Sequence, residues 1–159
     1  MRPTLAALVA LIPTAVMAQD LPADALAGVE AAVRSCFAEY DPYAGGPSCL
    51  GQAAQGCMAA TDQSTLSTIA CIGAETQVWD DLLNTEYKAR RSEMLAQGAG
   101  LTDKLLAAQR AWLTFRDAEC ALEVARWGDG TLAGVVGANC MMEMTAARAA
   151  QLRDKKAQE

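Results

Sequence analysis

Gln109-Arg110-Ala111-Trp112-Leu113-Thr114-Phe115-Arg116-Asp117-Ala118-Glu119-Cys120 is the stretch on which the fold turns. Its spacing predicts a helix whose inward stripe runs Leu105, Gln109, Trp112, Arg116, Cys120. Gln109 and Arg116 stand where leucines belong. A second stretch, Trp79-Asp80-Asp81-Leu82-Leu83-Asn84-Thr85-Glu86-Tyr87, has the same anomaly. Asp80, Asn84, Tyr87 and Arg91 fall at i, i+4, i+7 and i+11, beside an apolar row of Trp79 and Leu83. Each helix supplies groups the other lacks, so the two predict an antiparallel helical hairpin with a polar seam.

The punctuation between them sets the register. A helix from about Ser64 to Gln97 is stopped by Gly98-Ala99-Gly100, with Gly98 suited to the left-handed position after a helix. Thr102 is placed to cap the next helix, which runs to about Trp127. A connection this short makes the helices antiparallel neighbours. Reversal near Ala99 brings Asp80 and Asn84 within one turn of Arg116, and Tyr87 beside Trp112. Arg116 is permanently charged and costly to bury alone, which makes Asp80 its expected bidentate partner. Asp117 follows Arg116 directly. Such a network either fixes the register of the hairpin or frames a groove open to a ligand; paired polar groups in helical proteins commonly serve packing, which favours the first.

Outward from the hairpin the chain is alanine-rich and poor in Phe, Ile and Val, which favours helices throughout. A first helix is expected from Pro22 or Asp24 to Tyr40, with Leu26, Val29, Val33 and Phe37 at helical spacing. Asp41 to Pro47 breaks it, and a short helix from Ser48 to about Ala59 follows. Gly128 to Gly137 reads as a flexible or partly helical connection. It is no phosphate loop, since no strand precedes it and no Lys-Ser or Lys-Thr pair ends it. A last helix is expected from about Asn139 to Lys155. The fold class is therefore all-α: a disulfide-stapled bundle built around the long hairpin.

The N-terminus reads as an export signal. Arg2 precedes a short apolar run, and Ala15-Val16-Met17-Ala18 ends in a small-x-small cleavage pattern. Residues 1–18 would be removed. No cysteine follows directly, so no lipid anchor is indicated, and no other segment approaches the ~20 apolar residues of a membrane span. Six cysteines in an exported chain read as disulfides rather than metal ligands, because histidine and CxxC are both absent. Six cysteines allow 15 connectivities. The best choice is nearest-neighbour pairing: Cys36–Cys49, Cys57–Cys71 and Cys120–Cys140. Each loop would contribute roughly 3 kcal/mol in the chain-entropy model. Residues 20–87 hold ten acidic residues against the single basic Arg34, whereas residues 88–159 hold nine acidic and eleven basic. That asymmetry suits either plain solvation or the steering of a basic partner. No basic cluster with interleaved aromatics points to nucleic acid.

The pattern Asp80-x-x-Leu83-Asn84-x-x-Tyr87, then Gln109-x-x-Trp112-x-x-x-Arg116-Asp117-x-x-Cys120, then Cys140 and Arg148-x-x-Gln151-Leu152, looks like the LprI-like domain. That family of exported bacterial helical domains is named for a mycobacterial lipoprotein that inhibits lysozyme. The likeness covers about residues 57–153. It implies an N-terminal extension at 19–56 and an LprI-like domain at 57–155. It also implies a periplasmic or secreted protein that binds a basic, lysozyme-type partner and needs no cofactor. The alternative is a structural or adaptor module of the cell envelope. Catalysis is not expected. The commonest general base is missing, no Gly-x-Ser-x-Gly elbow occurs, and the adjacent carboxylates Asp80 and Asp81 diverge by about 100° around their helix axis. Oligomeric state is left open by the sequence.

Overall fold

The computed structural model describes residue 21, residues 23–41 and residues 46–157. The expected signal segment, residues 1–18, lies outside the described residues. Among the described residues five helices follow one another: α1 (Ala23–Glu39), α2 (Gln52–Ala59), α3 (Thr65–Gln97), α4 (Ala99–Arg126) and α5 (Thr131–Ala157). No strand occurs among the described residues, and the all-α, disulfide-stapled bundle is as expected.

All three disulfides pair nearest neighbours: Cys36–Cys49, Cys57–Cys71 and Cys120–Cys140. They tie α1 to the turn before α2, α2 to α3, and α4 to α5. The α3–α4 junction has none, because Gly98 alone links the two helices. Gly98 adopts φ 151° and ψ 138°, an extended, glycine-only conformation rather than the left-handed one expected. Thr102 accordingly does not cap α4; it is buried inside the first turns.

The short helices are capped from a distance. The apolar row of α1 (Ala25, Val29, Val33 and Phe37) is buried. Phe37 meets the edge of Trp79 on α3 with ring centres 5.8 Å apart. The carbonyls at the end of α1 receive hydrogen bonds from Arg153 of α5. Its guanidinium donates to Phe37 O and, at 3.1 Å, to Tyr40 O, and lies 4.0 Å over the Phe37 ring. The Tyr40 hydroxyl donates to Asp154 Oδ2 at 3.0 Å; burial and that carboxylate push its pKa above the ordinary tyrosine value.

Helix α2 has no cap of its own, since its N-cap is Gly51. Glu75 of α3 takes that role across the fold. Its carboxylate accepts from Gly51 N at 2.8 Å, Ala54 N at 2.7 Å and Trp79 Nε1 at 3.0 Å. Glu75 is completely buried. A buried anion on the first turn of a helix satisfies donors that would otherwise be orphaned, and it complements the helix dipole. Helix α3 is capped locally by Ser64, which accepts from Ser67 N at 3.2 Å. Asp62 completes that turn; hydrogen bonds from Ser67 and Ser64 hold its carboxyl below the usual range.

The largest departure from expectation lies at the other end of the chain. Only the first residues of the glycine-rich segment are a connection: Gly128 to Gly130 turn between α4 and α5, and from Thr131 the segment is helical, running on to Ala157. Its glycines admit neighbours. A Cβ on Gly134 would sit 2.9 Å from Ile69 Cδ1 of α3, and one on Gly137 2.7 Å from Val124 Cγ2 of α4. Helix α5 therefore wedges between the two arms of the hairpin, and it packs along α3 far more extensively than α4 does. The Cys120–Cys140 bond and the Arg116–Thr145 contact make α4 and α5 antiparallel. Ala146, Ala149, Ala150 and Leu152 of α5 are buried in the core with Trp79 and Leu83.

Candidate functional site

Because α5 occupies the cleft of the hairpin, the polar seam spans three helices instead of two. Gln109 of α4 is buried and accepts from Arg148 Nε at 3.0 Å. Arg148, also buried, donates its Nη1 to Gln151 Oε1. No carboxylate pairs with Arg148 among the described residues. Burial pulls its pKa below the ordinary arginine value, yet a guanidinium remains charged at neutral pH. Two amide oxygens and an aromatic face carry that charge instead, the Trp112 ring lying 5.7 Å from the guanidinium carbon.

Trp112 serves a second cation. Arg116 lies 5.2 Å from its ring centre. Arg116 does not pair with Asp80, as the register alone predicts. Its Nε and Nη2 donate to Asp117 Oδ1 at 3.0 and 2.8 Å, and Nη1 reaches Thr145 Oγ1 of α5 at 3.5 Å. The reason is the wedge: α5 places Thr145 in the space the hairpin would have closed. Asp80 instead accepts from Asn84 Nδ2 at 2.9 Å along its own helix. Tyr87 packs on the core but makes no ring contact with Trp112 among the described residues.

Asp80 and Arg116 nevertheless face one groove. Its volume is about 380 Å³, and Thr76, Gln77, Met141 and Thr145 also line it. Thr145, fully buried, forms part of its floor. Its rim carries a carboxylate and a guanidinium that are not paired with each other, so both keep hydrogen-bonding capacity toward an incoming group. Of the seven predicted seam residues, Gln109 and Trp112 contact Arg148, Arg116 shares the Trp112 ring with it, and Asp117 pairs with Arg116. Asp80 lines the groove, Asn84 is exposed and bonded to Asp80, and Tyr87 is half-buried against the core.

Three residues outside that set prove central. Arg148 was visible as the one cation in an alanine-rich run of the last helix. Glu75 lies on the same stripe as Cys71, Val78 and Leu82, where a carboxylate needs explaining. Thr145 carried no signal, because a buried hydroxyl on an apolar helix stripe resembles any small core residue.

Six of the acidic residues of the first half form an exposed set: Asp24, Glu30, Glu39, Asp41, Asp62 and Asp81 all face solvent. No group of three or more His, Cys, Asp or Glu side chains that could hold a metal ion occurs among the described residues. No described helix is long and apolar enough to cross a membrane. Three disulfides require an oxidising compartment and so point to an exported protein.

No curated protein and no solved structure matches the chain significantly. The family described as Lysozyme inhibitor LprI matches residues 57–152, which takes in Cys57, Cys71, the whole seam and Leu152. The match covers more than half of the sequence, and the chain belongs to the lysozyme inhibitor LprI family.

Proposed function

We propose that the mature chain is a periplasmic or secreted, non-enzymatic protein that binds and inhibits lysozyme-type glycosidases. The observation that carries this reading is the family match over residues 57–152. The exposed acidic residues of α1 to α3 suit a basic partner, since opposite charge raises the rate of encounter. The Asp80–Arg116 groove is the proposed contact, with Asn84 and Asp117 on its rim and Gln109, Trp112 and Tyr87 supporting it from behind. No cofactor takes part.

The test is inhibition of several lysozymes by purified protein at low and high salt. Inhibition at micromolar protein, weakened by salt, is the expected outcome. Failure against every lysozyme at that concentration overturns it. One observation favours a second reading, a structural or adaptor module of the envelope: the Gln109–Arg148–Gln151 contacts are internal and need no partner. Under that reading the protein inhibits nothing, and seam variants alter stability alone.

A further inference from the structure

Helix α4 carries a second pattern, distinct from the stripe it turns toward the bundle. Leu101, Ala108, Phe115 and Leu122 recur every seven residues. Three residues after each come Lys104, Ala111, Ala118 and Ala125. Apolar residues three, four and seven apart make a heptad seam, and this one lasts four heptads. All eight are exposed, with Leu101 at 40%, Phe115 at 56% and Leu122 at 54%. At 100° per residue the seam lies about a third of a turn from the Gln109–Trp112–Arg116 stripe, so α4 can serve both at once. A purely solvated helix face would be charged; this one has a single charge, Lys104.

The sizes and the charge select the occupant. In an antiparallel pair of α4 helices related by a two-fold axis at residue 113, each layer sets a large side chain against a small or flexible one. Leu101 meets Ala125 of the second copy, Phe115 meets Ala111, and Leu122 lies along the Lys104 stem. Ala108 meets Ala118, which lets the backbones approach closely. The Lys104 ammonium then falls one turn from half-exposed Glu119 of the second copy, and symmetry makes that pair twice. A parallel pair would instead stack Phe115 on Phe115 and Lys104 on Lys104. The geometry points to a second copy of this chain: a two-fold dimer joined along the outer face of α4, with Phe115 as its anchor. The seam is separate from the Asp80–Arg116 groove, and the inference does not depend on lysozyme binding.

Sedimentation equilibrium of the mature chain from 1 to 100 μM tests it. A dimer is expected within that range. Phe115→Asp is expected to weaken association at least tenfold without changing the helical circular dichroism, because the side chain is exposed. Lys104→Glu and Glu119→Lys are each expected to weaken it severalfold, and the double swap to restore it; this arm stands even if Phe115→Asp folds poorly. A monomer at 100 μM overturns the proposal, and so does a dimer indifferent to all these substitutions. Monomeric protein that binds phosphatidylglycerol vesicles through Phe115 likewise overturns it, and gives the seam to a lipid surface.

Discussion

Glu75 and Arg116 are both charged residues on helix stripes that should be apolar, and the fold treats them in opposite ways. Glu75 has no exposed surface. Its two oxygens take three N–H donors, two of them from the backbone at the start of α2. It is a closed site whose donors sit on fixed elements. Arg116 keeps 14% of its side chain exposed, and its strongest partner, Asp117, is itself 62% exposed. The Arg116 charge is mostly but not wholly withdrawn from water, and it borders a groove instead of filling a cavity. A charge that organises the fold is surrounded; a charge that is free to meet something else is held from one side.

The largest effect expected from that contrast comes from Glu75→Ala. It leaves the start of α2 and the Trp79 indole without their acceptor and should cost ~3–5 kcal/mol in urea unfolding. Glu75→Gln, which retains one acceptor oxygen, should cost less. A loss below about 1 kcal/mol for the alanine variant would erase the distinction between the two sites. Removing the Cys57–Cys71 bond by paired serine substitution should cost roughly 3 kcal/mol, read as a lower thermal midpoint under non-reducing conditions. Gln109→Leu takes an acceptor from buried Arg148 and should cost ~2 kcal/mol. Arg116→Met is expected to cost ~1 kcal/mol or less, since its ion pair is with an exposed carboxylate. If the groove is the contact surface, the same variant loses inhibition at least tenfold while its melting temperature barely moves. Loss of stability without loss of inhibition would move Arg116 into the class of Glu75.

The hairpin register illustrates how far local pattern reaches. Gly98 ends α3, and the α4 stripe of Gln109, Trp112, Arg116 and Cys120 faces the bundle as periodicity requires. The expected facing of Asp80 and Arg116 is correct to within a groove's width, yet the predicted ion pair does not form. The missing information lay in the glycine-rich segment after α4, which reads as a flexible or partly helical connection. Glycine is disfavoured in helices, so Gly134 and Gly137 argue locally for a connection. In the fold they are the positions where α3 and α4 come too close for a side chain.

The sequence by itself determined the helical class, which cysteines lie near enough to pair, and the family. These depend on periodicity, on cysteines near enough in sequence to close short loops, and on a spaced signature. Only the tertiary structure decided which charges are enclosed and which face a groove. That depends on α5, whose position between α3 and α4 follows from backbone approach at two glycines. Close packing is a property of surfaces brought together from distant parts of the chain, and no window along the sequence contains both of them.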